Sequence, residues 1–419
     1  MSLNSNLQPN ANTRDAHFKA LYSTAPDFQR LARCDADFAV LVKGHGLDFS
    51  DPASVVQLSK TLLKLDFGLE LHVPPDRLCP PIPNRHCYIL WLKDLLDSSS
   101  YHPPGDLVGL DVGTGASCIY PLLGCVQRPW SFIATDIDVE SLKWARRNVQ
   151  RNKLSHRISI VDRDADDNLV PLDELGLDAI DFVMTNPPFY ASEEDLLESA
   201  RRKARPPWTA CTGSRTEMVV EGGEVAFVGR MVDESLLLRQ RVKWYTSMLG
   251  FRSSVASLIT VLREHGISNY AVTEFAQGTK TRRWAVAWSF GPMRPAQAVA
   301  RGIKAPDVML PPATESEVCE ELDTRLAGEF TQRLRSAVDA LELMSWSWDE
   351  TRKRTGRERD EREAVCVLGF GIEVRLGLRM VSVRCRWLEG VDAVAFESFQ
   401  GFLQAAARSA FSDLKAGTQ

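Results

Sequence analysis

Asn186-Pro187-Pro188-Phe189 follows Ile180-Asp181-Phe182-Val183-Met184-Thr185, an apolar run of the length and composition of a buried strand. Two consecutive prolines fix the backbone just past that strand's end. The corner so formed holds two acceptors in one place, the Asn186 side-chain oxygen and the Pro187 carbonyl. An exocyclic amine could donate one hydrogen to each. Phe189, with Tyr190 behind it, offers ring faces on which an amine-bearing heterocycle could stack. A plain strand-ending turn does not require this order of Asn, two Pro and an aromatic.

A second constellation is Gly109-Leu110-Asp111-Val112-Gly113-Thr114-Gly115-Ala116-Ser117. Glycines where a strand passes into a helix let the backbone turn tightly and approach a ligand, while the helix start presents free N–H groups. Asp136 stands 23 residues past Gly113, at the end of the next expected strand. A carboxylate there can accept hydrogen bonds from both hydroxyls of a ribose. A Gly-x-Gly turn alone is a common tight turn. Its place after a strand, together with Asp136, points to a nucleotide-type cofactor.

These residues need elements to position them. The chain has 419 residues, enough for two or three domains. With 44% apolar and 25% charged residues it is neither a disordered, a collagen-like nor a disulfide-scaffold chain. Its longest uncharged stretch, from Val112 to Gln127, is 16 residues, short of the ~18 apolar residues a membrane span requires. The reading is a soluble protein without a membrane partner. Nine cysteines include no CxxC pair, so neither structural zinc nor any other metal is expected and the thiols are read as reduced. The net charge of −5 means that a polyanion would have to be met by a local basic surface.

Residues 1–97 read as an N-terminal arm and a helical module, closed by a proline-rich link (73–83) and a helix from 84 to 96. Within 98–291 strands are expected at 107–112, 131–135, 157–161, 179–185, 242–248, 269–275 and 284–290. Helices fall at 139–151, 223–240 and 253–265. That alternation predicts an α/β domain, a parallel sheet covered on both faces and ending in an antiparallel hairpin. Residues 292–314 read as a linker. Residues 315–419 read as an α+β domain with a helical run over 315–344, a mixed-charge segment over 352–363, strands at 364–374 and 378–387, and a closing helix at 396–414. Two basic groups stand out. Arg201, Arg202, Lys203 and Arg205 precede Pro206-Pro207-Trp208 in a long insertion after Tyr190, and Lys280, Arg282 and Arg283 fall at the last hairpin's turn. Either could meet phosphates.

Together the glycine turn and the Asn-Pro-Pro-Phe corner resemble class I S-adenosylmethionine-dependent methyltransferases that act on amines. The run from Asp111 to Gly124, Asp111-Val112-Gly113-Thr114-Gly115-Ala116-Ser117-Cys118-Ile119-Tyr120-Pro121-Leu122-Leu123-Gly124, resembles the signature of one family among them. This is the U6 snRNA adenine-N6 methyltransferase family (methyltransferase-like protein sixteen), related to bacterial 23S rRNA adenine-N6 methyltransferases. Asp66-Phe67-Gly68-Leu69, Glu221-Gly222-Gly223-Glu224, Thr273-Glu274-Phe275-Ala276-Gln277-Gly278 and Arg283-Trp284-Ala285-Val286-Ala287-Trp288-Ser289-Phe290 match in the same order. The match spans residues 20 to 290.

The resemblance implies a class I Rossmann-like methyltransferase domain, a helical N-terminal module and a C-terminal α+β domain of kinase-associated-one-like type that engages RNA. It implies S-adenosyl-L-methionine as cofactor, U6 snRNA or a similar hairpin as partner, and work in the nucleus; the oligomeric state stays open with a monomer favoured, and the cytoplasm is a further place. Arg85 falls where the family binds the cofactor carboxylate, Gly113 and Ser117 at the methionine end, Asp136 at the ribose and Asn186 at the transfer point. The adenine-side contact lies in 162–167. Alignment favours Asp167, with Asp164 and Asp166 equal on chemistry. This chain departs from the family in an arm with few basic residues (Arg14 and Lys19 within 1–20) and an acidic 162–167 loop where relatives can carry a lysine. Two rival readings share the features: glutamine-N5 methylation of a protein, and an idle RNA-binding scaffold. The 201–205 cluster opposes the first; intact Gly113, Asp136 and Asn186 oppose the second.

Overall fold

A computed structural model describes residues 11–44, 46–102, 105–202, 213–277, 281–341, 343 and 366–416. They form two compact units. The first comprises Met1–Lys93, Gly105–Ile267 and Val272–Phe290; the second comprises Asp94–Pro104, Ser268–Ala271 and Gly291–Gln419. Among the described residues no helix is long and apolar enough to cross a membrane.

The first unit opens with helices α1 (Ala11–Ala20), α2 (Phe28–Cys34) and α3 (Pro52–Leu62), followed by α4 (Ile82–Ser98), of which residues up to Lys93 belong to this unit. Asp51 caps α3 by accepting from the Ala53 and Ser54 N–H groups, with Pro52 in the first turn, where its missing donor costs nothing. Helix α1 is held by Asp15, which pairs with Lys93 at 2.9 Å and Arg128 at 2.8 Å. Phe18 of α1 stacks on Phe67, and its carbonyl accepts a hydrogen bond from His86 Nε2 at 2.9 Å.

Strands and helices then alternate: β1 (Val108–Val112), α5 (Ile119–Gln127), β2 (Ser131–Asp136), α6 (Val139–Arg151), β3 (Ile158–Asp162), β4 (Ile180–Thr185) and α7 (Glu193–Arg202). They continue with α8 (Gly223–Leu238), β5 (Val242–Leu249), α9 (Arg252–Glu264), β6 (Tyr270–Gln277) and β7 (Thr281–Trp288). Side by side the strands lie in the order β3-β2-β1-β4-β5-β7-β6. The first five pair in parallel, and β7 enters antiparallel to β5. The order reverses between β1 and β4. Open α/β sheets bind ligands in the crevice beyond the carboxyl ends of strands at such a point, so both sequence constellations end at one crevice.

Apolar packing makes the sheet rigid there. Gly109 of β1 lies in register with Phe182 of β4, and a Cβ on Gly109 would stand 2.2 Å from the Phe182 ring. Phe182 in turn packs on Trp130 and Phe132. Two asparagines, Asn148 in the last turn of α6 and Asn152 at its cap, bind the link that leads to α4. Asn152 exchanges hydrogen bonds with the Glu70 backbone at 2.9 and 2.8 Å, and Asn148 with that of His72 at 2.9 Å in each direction. The Asn148 amide also donates to Ala116 O at 3.0 Å, which joins the link to the glycine turn.

The second unit contains β8 (Glu315–Glu321), α10 (Ala327–Asp339), β9 (Gly369–Leu376), β10 (Met380–Glu389) and α11 (Ala393–Ala416). The antiparallel sheet has the order β8-β10-β9, and the helices bury Phe330, Phe396 and Phe411 with Trp387. The helix expected from 315 is corrected here. Glu315–Glu321 is a strand because its alternating side chains find cross-strand partners, Val318 opposite Val383 and Glu317 opposite Arg384; the helix begins at Ala327. The stretch 292–314, read as a linker, belongs to this unit. Gly390 N donates to Pro292 O, Arg294 N to Leu388 O, and the Arg294 guanidinium lies 4.2 Å from the Trp387 ring centroid. The mixed-charge segment 352–363 lies outside the described residues.

Candidate active site

The turn after β1 takes the shape its glycines allow. Gly113 and Gly115 have φ of +75° and +63°, a region costly to side chains. The Gly113 and Thr114 N–H groups both donate to Thr135 O at 2.9 Å, which fastens the turn to β2. Asp136, at the end of β2, accepts from Gly115 N at 2.8 Å and Asp138 N at 2.9 Å. Burial pushes its carboxyl upward, opposed by those two hydrogen bonds. Beneath the turn the Asp111 carboxylate is wholly buried, and burial pushes it up to about 7.

A cavity of about 250 Å³ opens above this turn and is lined by Arg85, Gly113, Ser117, Asp136, Asp167 and Asn186. Residues separated by a hundred positions in sequence are thus brought together, and Pro187 and Pro188 join them. Arg85, from the first turn of α4, is buried. It donates to Tyr120 Oη at 2.8 Å and approaches Met248 Sδ at 3.4 Å, while its Nε has no hydrogen-bond partner among the described residues. No carboxylate stands at ion-pair distance from it among those residues. A buried guanidinium without a counter-ion suits an incoming carboxylate. At the other end, Asn186 Oδ1 is buried and accepts no hydrogen bond among the described residues. An acceptor left in that condition costs free energy until a donor arrives. The residues fit a cofactor with a carboxylate at one end and a ribose at the other.

Among the three acidic candidates, Asp164 and Asp167 line the cavity and Asp166 does not. Their loop is built by neighbours. Asp167 Oδ2 accepts from Asp164 N at 2.9 Å and meets Arg163 at 3.2 Å, and Arg230 of α8 donates to the carbonyls of Ala165 and Asp167.

Phe189 stands at the end of the corner, outside the cavity lining. A Cβ on Gly250 would lie 3.1 Å from its ring, and the Arg283 guanidinium covers it. Behind Gly250, Glu224 accepts from Gly250 N at 2.6 Å and Phe251 N at 3.1 Å. Arg283 therefore separates from the hairpin group into which its sequence position put it. It is half-buried over Phe189, whereas Arg282 is exposed and paired with Glu274. Tyr190, offered with Phe189 for stacking on the heterocycle, is buried. Its backbone pairs with Met218 and Val220, and its ring is buried against Phe251 at 6.1 Å. Arg201 and Arg202 end α7; their side chains, with Lys203, Arg205 and Lys280, lie outside the described residues.

Further lining residues had been given no role from sequence, among them Leu78, Tyr120, Ile137 and Glu217. Ile137 carried a faint signal as an apolar residue following Asp136, and it is half exposed. Glu217 carried none. Among the described residues no group of three or more His, Cys, Asp or Glu side chains could hold a metal ion.

Strand order, glycine turn and the carboxylate ending β2 define a class I methyltransferase that uses S-adenosyl-L-methionine. A family model described as RNA methyltransferase matches residues 2–292, and the chain belongs to that family. It is 37% identical over 380 residues to the U6 small nuclear RNA (adenine-(43)-N(6))-methyltransferase of Schizosaccharomyces pombe, covering 88% of this chain and 96% of that protein. To the human RNA N(6)-adenosine-methyltransferase METTL16 it is 41% identical over 280 residues, 63% of this chain and 48% of the relative. The chain thus spans about half the length of that human relative. Among solved structures it resembles the hMettl16 catalytic domain in complex with MAT2A 3'UTR hairpin 1, with a TM-score of 0.58 and 42% identity, covering 64% of this chain and 92% of that one. It also resembles the N-terminal domain of human METTL16 in complex with SAH, with a TM-score of 0.54 and 38% identity, covering 65% and 96%.

Proposed function

We propose that this chain methylates N6 of an adenine in structured RNA, with U6 snRNA as the leading substrate. The buried, partnerless Asn186 Oδ1 at the edge of the cofactor cavity is the observation that carries the reading. Bound S-adenosyl-L-methionine supplies an electrophilic methyl group on its sulfonium. Arg85 would hold the carboxylate, Gly113 and Ser117 the methionine backbone, Asp136 the ribose, and Asp167 the adenine side.

The adenine amine is a weak nucleophile because its lone pair is delocalised into the ring. Asn186 Oδ1 and the Pro187 carbonyl accept its two hydrogens, and this favours a nitrogen that becomes pyramidal and positive during transfer. Pro187 and Pro188 fix those acceptors, so the amine arrives already aimed. The methylated nitrogen then sheds a proton readily, and no strong base is required. Phe189 stacks on the adenine, which must first leave its helix; loops and bulges release a base at least cost. Arg282, with Arg201, Arg202, Lys203, Arg205 and Lys280, would meet the RNA backbone, while Arg283 holds Phe189. The C-terminal α+β unit is a second RNA-binding element, and a small nuclear RNA as substrate sets the work in the nucleus.

Transfer of label from S-adenosyl-L-methionine to a U6-type hairpin, compared with a protein digest, tests the reading. Label on the hairpin and not on the digest is expected; label confined to glutamine in the digest would replace this function with the protein-modifying one. Asn186→Ala should abolish transfer while cofactor affinity stays within about threefold. Undiminished transfer would remove Asn186 from the reaction.

A further inference from the structure

Glu217 occupies an unusual place in the cavity wall. Its Oε2 accepts two backbone hydrogen bonds, from Ser214 N at 2.8 Å and from Leu78 N at 3.0 Å. Leu78 lies 139 residues earlier, in the proline-rich link before Arg85, and lines the same cavity. This oxygen joins two segments of the wall. The other, Oε1, turns to the glycine turn and lies 3.5 Å from where a Cβ on Gly115 would stand. Gly115 N–H is already given to Asp136, and among the described residues no cation stands at ion-pair distance from Glu217. One oxygen is committed to structure, and the other brings negative charge to the cavity.

We propose that Glu217 sets the preference of the site for the sulfonium cofactor over its thioether product. The two ligands share the carboxylate, the ammonium and the nucleoside. They differ by one methyl group and one positive charge on sulfur. Contacts to shared groups change both affinities alike, whereas a carboxylate facing the cavity favours the ligand with the extra positive charge. Release of product after each turnover is aided by the same difference. The inference rests on the S-adenosyl-L-methionine assignment and adds a specificity-determining residue to it.

Calorimetric titration of the full chain with S-adenosyl-L-methionine and with S-adenosylhomocysteine tests it. Glu217→Gln keeps an oxygen for the Leu78 and Ser214 N–H groups and removes the charge. Its affinity for the sulfonium ligand should fall about tenfold, with the thioether affinity within about twofold. Glu217→Asp, which keeps the charge on a shorter arm, should retain more of the wild-type ratio of the two affinities than Gln does. Equal losses for both ligands in Glu217→Gln, no loss for either, or the same ratio in Gln and Asp would overturn the proposal. If wild type binds neither ligand, the cofactor assignment itself fails, an outcome distinct from these.

Discussion

The guanidinium of Arg283 lies over the ring of Phe189, 5.2 Å from its centroid. The aromatic beside the acceptor corner is thus held by a cation from the antiparallel strand β7, two strands away from β4. Burial lowers the Arg283 pKa, with the Arg85 charge acting in the same direction and Glu224, behind Gly250, against it.

Replacing Arg283 with Met keeps bulk and removes the charge. A contact of this kind contributes about 0.5–2 kcal/mol, so kcat/KM on RNA should fall about twofold to thirtyfold. Cofactor affinity, measured by calorimetry, should stay within about twofold. A matching loss of cofactor affinity would move Arg283 from the base side to the cofactor side.

Arg85 is buried with one nitrogen unpartnered, and its task separates from general packing by choice of ligand. Arg85→Lys keeps the charge and loses the planar fork, so S-adenosylhomocysteine should bind about tenfold or more weakly. Methylthioadenosine, which lacks the amino-acid portion, should bind within about twofold of wild type. Equal losses for the two ligands would exclude a carboxylate contact.

His86 predicts an acid limb in stability. Burial lowers its pKa to about 4 from an ordinary value of 6.5, and its ring lies between the Phe18 carbonyl and Gln127. Between those two pH values the unfolded chain binds more protons than the folded one. Stability is therefore full above 6.5 and declines as pH falls towards 4, by about 3 kcal/mol from this group. Asp111, raised by burial, acts in the opposite direction over part of the range. The difference between wild type and His86→Gln in melting curves from pH 4.5 to 7.5 cancels it. Wild type should lose more on acidification, and parallel curves would exclude His86 as the source.

Gly109→Ala tests the packing that supports the crevice. The new methyl would stand 2.2 Å from the Phe182 ring, in a sheet that cannot open. Overpacking of this kind costs about 1–3 kcal/mol, readable as a lower Tm, and Phe182→Leu should recover part of it. A Tm equal to wild type would show that the ring has room to move.

The catalytic half of the fold was legible because its signals are local. Strands of apolar residues, the Asp51-Pro52 cap and the two glycines each announce themselves within a few residues, and helix α6 matches its expected limits, 139–151. Helix α5 was expected after the glycine turn but without limits, because Ile119–Gln127 is buried almost all round and shows no polar face. Strand β8 was misread because Glu, Ser, Val and Cys in short order do not distinguish helix from strand until Val383 and Arg384 stand opposite. Of the site, Arg85, Gly113, Ser117, Asp136, Asp167 and Asn186 share one cavity. Glu217, the burial of Tyr190 and the placing of Arg283 on Phe189 depend on long-range packing, which no short window of sequence contains.

A grip made of two acceptors has a built-in limit. An amine that has gained one methyl group keeps a single hydrogen, so it can satisfy Asn186 or its proline neighbour but not both. In the proposed reaction the corner would therefore count hydrogens as well as recognise a base, and would release a substrate after one modification instead of preparing it for a second.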